Sequence, residues 1–122
     1  MDIFLIGIFG AAGAVARYLI DRLLLTEGSF PVSTFAINLA GSFLIGVLYA
    51  LGHERELLSP QMRLALATGL LGGFTTFSAY SLQVTLLADN EKLSAALFYF
   101  VLSPVVGVAA AWLGLISVRH YV

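Results

Sequence analysis

Gly69-Leu70-Leu71-Gly72-Gly73-Phe74-Thr75-Thr76-Phe77-Ser78-Ala79-Tyr80-Ser81 lies at the centre of an apolar run that extends from about Gln61 to Leu87. As one helix this run would be about 40 Å long, against a bilayer core of about 30 Å. Its centre is poorly suited to a helix. Gly69, Gly72 and Gly73 have low propensity, and the hydroxyls of Thr75, Thr76, Ser78 and Ser81 compete for backbone partners. Lipid offers no replacement hydrogen bonds, so irregular backbone at that depth survives only buried in protein or lining a polar cavity. The pattern predicts a broken helix whose freed carbonyls and amides face an ion. Close helix packing through Gly69-x-x-x-Gly73 would explain the glycines, but not the hydroxyls beside them.

The rest of the chain sets this segment in a membrane. Of its 122 residues 60% are hydrophobic and only 11% charged, against roughly 25% charged in an average soluble domain. Six Lys/Arg against seven Asp/Glu leave a net charge of −1, which supplies neither a basic surface for nucleic acid nor an acidic disordered tail. The absence of cysteine removes disulfides, thiolate metal sites and thiol nucleophiles. His53 and His120 lie in polar stretches, which gives a histidine-based centre little to work with. At about 20 residues per crossing, the chain makes one all-α integral membrane domain, 1–122, with spans at about 3–25, 34–52, 61–87 and 93–118. A polar turn at Thr26 to Ser33 carries Glu27, Gly28 and Pro31, His53-Glu54-Arg55-Glu56 make a solvated connector, and Asp89-Asn90-Glu91-Lys92 make the last turn. Pro60 suits the first turn of a helix. Ala14-Val15-Ala16 resembles a signal-peptide cleavage site, but Met1-Asp2 lacks the positive charge of such a peptide and three more spans follow.

Orientation is weakly encoded. Arg55, Arg63 and Arg119 lie on one side, Arg22 and Lys92 on the other, with Arg17 joining them if it reaches that mouth. So even a count gives insertion little instruction. Opposite insertion of two copies, meeting as an antiparallel dimer, and a single topology fixed by other means both fit it.

Arg17 is the one ionisable group deep in a span. It either snorkels or pairs with Asp21 at i+4, or attracts anions into a vestibule. No Asp, Glu, His or Lys lies mid-span, which disfavours proton antiport and the small multidrug exporters with their membrane glutamate. Thr34, Asn38 and Ser42 share one face of the second span, and Tyr99, Ser103 and Gly107 one face of the fourth. Each hydroxyl could satisfy a carbonyl of its own helix. Asn38 has two donors and an acceptor to place, so it bridges helices or faces a permeant species. Phe77 and Tyr80, three apart, could present positive ring edges to an anion. These groups form a path of neutral donors, from which an anion can be dehydrated and still leave. They do not name the ion.

Gly-Leu-Leu-Gly-Gly-Phe-Thr-Thr-Phe-Ser at 69–78, Asn38-Leu39-Ala40-Gly41-Ser42-Phe43, and Gly10-Ala11-Ala12-Gly13-Ala14-Val15-Ala16-Arg17-Tyr18 together resemble the Fluc (CrcB) fluoride-channel family over essentially the whole chain. The resemblance implies a channel and not an enzyme: an antiparallel, dual-topology homodimer in the cell membrane of a microbe, exporting fluoride passively through two pores. It implies a ring-edge fluoride site at Phe77 and Tyr80 and a pore-lining amide at Asn38, with Thr34, Ser78, Tyr99 and Ser103 on a polar track. Arg17 would stand near the vestibule. Main-chain carbonyls of Gly72 and Thr75 would hold a central sodium ion. The family usually reads Thr-Thr-Phe-Ser-Thr-Phe, whereas this chain has Ala79 and Tyr80; the expectation is retained selectivity at an altered rate, with the Tyr80 hydroxyl either coordinating fluoride or holding it too tightly. Two other readings are weaker. A coupled transporter of small cations or drugs lacks its carboxylate, and a membrane assembly protein explains the small-residue faces Gly10-x-x-x-Ala14, Ser42-x-x-x-Gly46 and Gly107-x-x-x-Ala111 but not the segment from Thr75 to Ser81.

Overall fold

Asp2 in the first turn and Arg22 in the last complement the dipole of α1 (Asp2–Leu23), the first of the apolar helices in a computed structural model that describes residues 1–24 and 30–122. Leu25, the end of the first predicted span, and Thr26 to Ser29 of the predicted turn, with Glu27 and Gly28, lie outside the described residues. After Pro31 the chain enters α2 (Val32–Tyr49), which continues through a π-helical turn at Ala50–Glu54. Ser59 then caps α3 (Pro60–Leu64): its hydroxyl accepts from the Met62 N–H at 3.2 Å, and Pro60 occupies the first turn.

The third apolar run is divided. A π-helical stretch, Ala65–Leu71, follows α3 and leads into the single turn α4 (Gly72–Phe74). Thr75 (φ −82°, ψ 157°) and Thr76 (φ −149°, ψ 115°) are extended. The Thr76 hydroxyl then accepts from the Ala79 N–H at 3.2 Å and caps α5 (Phe77–Asp89). A turn with Glu91 at φ 60° leads to α6 (Leu93–Tyr121). Among the described residues the secondary structure is helical and without strands. Three helices are each long and apolar enough to cross a membrane: α1, α2 with its π turn, and α6. The predicted His53 connector and Arg119 tail are partly helical. Arg119 grips Glu54 through two hydrogen bonds, one of 2.9 Å from Nε, and Arg55 donates to the Arg119 carbonyl. These contacts tie the ends of the second and fourth spans together.

Small residues set the helix spacing. α1 packs on the π stretch and α4, and α2 packs on α6. A methyl group on Gly13 would lie 2.9 Å from the Phe74 nitrogen, and one on Gly69 would lie 2.9 Å from the Phe9 Cβ. The α2–α6 crossing is equally close, since a methyl on Gly46 or Gly114 would press on the facing backbone. Gly69 and Gly73 therefore serve packing, as do the small-residue faces containing Gly10, Gly46 and Gly107, whose near neighbours belong to the same chain. Gly13→Leu is expected to abolish recovery of folded protein by size-exclusion chromatography. Gly7→Leu should leave it intact, because nothing lies within 4 Å of that position.

The principal buried cluster is Tyr80, Leu87, Ala96 and Tyr99, against which Phe30, Phe35, Val84 and Ala95 pack. The outer faces carry exposed Phe98, Val105, Val108, Trp112 and Leu113. An apolar exterior around a small polar interior is what lipid as a solvent selects, and with the three spans it makes this a membrane protein.

Candidate functional site

Thr75 and Thr76 are extended, so the backbone groups of Thr76 need partners outside a helix. The Thr75 N–H and hydroxyl both donate to the Leu71 carbonyl, at 3.0 and 2.9 Å. Asn38 of α2 serves Thr76: its Oδ1 accepts from the Thr76 N–H at 2.8 Å, and its Nδ2 donates to the Thr76 carbonyl at 2.9 Å. This two-way clamp makes Asn38 a bridge between helices. It leaves one of the two amide N–H bonds uncommitted among the described residues. On the far side, Arg17 donates from Nε to the Gly73 carbonyl at 3.2 Å. Its expected alternative partner, Asp21, instead accepts from Ser33 of α2.

Beside the interruption lies a cleft of about 550 Å³ lined by Asn38, Ser42, Gly72, Thr75, Phe77, Tyr80 and Ser103, among others. None of its lining residues is charged. The hydroxyls of Ser42 and Ser103 make no hydrogen bond among the described residues and are free to donate into it. Phe77, 79% exposed, stands at its edge, whereas Tyr80 is 8% exposed. Their ring centroids are 5.7 Å apart. The Tyr80 hydroxyl donates to the Phe100 carbonyl at 2.6 Å, so the group that the sequence offered as an anion ligand is engaged by α6.

The other expected residues are placed elsewhere. Thr34 and Tyr99 meet in a buried network around Gln83, whose Nε2 donates to the Thr34 hydroxyl at 2.7 Å and whose Oε1 accepts from the Tyr99 hydroxyl at 3.0 Å. Gln83 was not among the residues expected from sequence, because it lies outside the polar faces of the second and fourth spans. The rings of Tyr80 and Tyr99, 5.1 Å apart in an edge arrangement, connect this network to the cleft. Ser78 is exposed and faces the Thr76 hydroxyl at 3.3 Å. Arg17 is not part of the cleft lining.

Comparison with known proteins gives these features a context. The family model described as CrcB-like protein, Camphor Resistance (CrcB), matches residues 4–115. A relative from Agrobacterium fabrum bearing the name fluoride-specific ion channel FluC is 44% identical over 122 residues, covering 98% of each chain. One of the same name from Chlorobium chlorochromatii is 45% identical, over 96% of this chain and 92% of the relative. Another, from Chlorobaculum tepidum, is 48% identical over 80% of this chain and 79% of the relative.

Proposed function

The chain belongs to the CrcB family, and we propose from that membership that it is a fluoride-selective passive channel, not an enzyme, whose conduction path runs along the cleft beside Thr75-Thr76. The observation that carries this reading is the convergence of neutral donors there. The free hydroxyls of Ser42 and Ser103, the spare amide proton of Asn38 and the ring of Phe77 border one uncharged cleft.

Neutral donors suit a small, strongly hydrated anion. Each can replace a water without holding the ion as a fixed cation would, so binding stays weak enough for exit. Asn38, locked to the Thr76 backbone, presents its remaining N–H in a fixed direction, which lowers the reorganisation needed when the ion arrives. Phe77 offers a positive ring edge. The buried Thr34–Gln83–Tyr99 network continues the polar track beyond Tyr80, with hydroxyls and an amide in place of charges. No carboxylate lines the cleft, so no proton needs to accompany the ion.

The remaining features of the reading concern assembly. A second, antiparallel copy would close the open side of the cleft, making two pores in the cell membrane of a microbe. Gly72 supports such close approach. It is exposed on the cleft and has an ordinary right-handed backbone, and a methyl group there would meet nothing nearer than 3.8 Å among the described residues. The carbonyl of Thr75 accepts no hydrogen bond among the described residues, whereas those of Leu71, Gly73 and Thr76 do. An uncommitted carbonyl oxygen fits a hard cation, and the carbonyls of Gly72 and Thr75 would hold a sodium ion at the junction of the copies. Bound there, the ion would supply positive charge that fixes the interrupted segments.

Fluoride efflux from proteoliposomes, followed with an ion-selective electrode beside a matched chloride trial, tests the function. Rapid fluoride loss without chloride loss is expected. Retention of both ions by liposomes holding folded protein would refute the reading.

A further inference from the structure

Pro104 lies inside α6 and has no N–H. In an α-helix that N–H would bond to the carbonyl four residues earlier, which is Phe100. An unpaired carbonyl in a membrane helix is costly, and neighbouring helices commonly re-satisfy it. Here the partner is identifiable: the Tyr80 hydroxyl of α5 donates to that same Phe100 carbonyl at 2.6 Å. Both Pro104 and Tyr80 line the cleft. Tyr80 is also flanked by the rings of Phe77 and Tyr99, at 5.7 and 5.1 Å.

We propose that Pro104 is a positioning residue for the conduction path: the acceptor it leaves on Phe100 captures the Tyr80 hydroxyl, fixes that ring beside Phe77 and withdraws the hydroxyl from the ion. The inference rests on the channel reading above and deepens it. Tyr80 then meets the ion as an aromatic edge, as a phenylalanine would. Its hydroxyl serves α6.

The two residues are a donor and a missing donor for one acceptor, so they should be coupled. With Pro104 in place, Tyr80→Phe orphans the Phe100 carbonyl and frees the ring. With Pro104→Ala, the new backbone N–H supplies the carbonyl and the tyrosine hydroxyl becomes dispensable. A cycle of Tyr80→Phe, Pro104→Ala and the double variant is read by fluoride efflux, by fluoride-over-chloride selectivity and by protein surviving a heat step in detergent. Tyr80→Phe should lower fluoride flux and heat survival by about tenfold when Pro104 is present, the expected size of an orphaned buried acceptor, and by less than about twofold in the Pro104→Ala background. Selectivity should fall with flux, which loss of folded protein alone would not produce. Equal losses in the two backgrounds would overturn the proposal, since the hydroxyl would then act on something other than the Phe100 carbonyl.

A second measurement does not depend on the Pro104→Ala variant folding. Replacing Tyr80 with 3-fluorotyrosine makes the phenol a stronger donor. Greater heat survival with an unchanged half-saturating fluoride concentration is expected. A lower half-saturating concentration without a gain in heat survival would place the hydroxyl on the ion and overturn the proposal. Absence of fluoride flux in the unaltered protein would refute the channel reading instead, and the heat-step cycle would still decide whether Tyr80 and Pro104 share the acceptor.

Discussion

Asn38→Asp is expected to reduce fluoride efflux by at least about 100-fold, equivalent to about 2.7 kcal/mol on the barrier. Two effects act together. The Thr76 N–H can still donate to a carboxylate oxygen, but the Thr76 carbonyl, which now accepts from Nδ2 at 2.9 Å, would face an oxygen with no proton to give. More importantly, a negative charge would stand in an uncharged cleft on the path of an anion. At a separation of 4 Å and an effective dielectric constant near 20, two like charges repel by about 4 kcal/mol, so the charge alone exceeds the stated loss. The check is the efflux rate per reconstituted protein, with size-exclusion recovery alongside. Because half of the clamp survives, recovery should fall far less than flux. Loss of folded protein with undiminished specific flux would mean that Asn38 is only a bridge between helices.

Phe77→Ala is expected to lower fluoride flux by about tenfold, or about 1.4 kcal/mol on the barrier, within the range of an aromatic edge interaction. The fold supplies an internal control. Phe77 is 79% exposed in the single chain, so removing its ring takes little away from the subunit core, in contrast to the buried Tyr99. The capping of α5 does not involve the ring either, since it depends on the Thr76 hydroxyl and the Ala79 N–H. Thermal survival of the subunit should therefore change little while flux falls. Unchanged flux would remove Phe77 from the path.

The all-helical fold and the apolar membrane helices were legible because hydropathy is a local property. The π-helical stretch at Ala65–Leu71 was not, since Gly69 marks a weak point in the helix but nothing local distinguishes the wider winding. Within the site, Asn38 could be recognised as a polar group in need of partners. That both of its partners belong to Thr76, 38 residues away, is set by the packing of α2 against the interrupted run. Arg17 shows the same limit: its spacing offered Asp21, one turn away, but the close approach of α1 to Gly73 supplies a carbonyl instead. Gln83 joins Thr34 and Tyr99 only through the packing of α5 against α2 and α6. Tyr80 looked like an added donor for an ion because the missing N–H of Pro104 lies in another helix, and only the tertiary structure joins them.

Charge selectivity without coupling is the central claim, and the current reversal potential in a planar bilayer tests it most directly. With a tenfold fluoride gradient, equal chloride on both sides and protein in the membrane, the account predicts reversal near the fluoride equilibrium potential, about 59 mV for a monovalent ion, and no displacement when a pH gradient is added. Reversal near zero, or one that moves with the pH gradient, would contradict it.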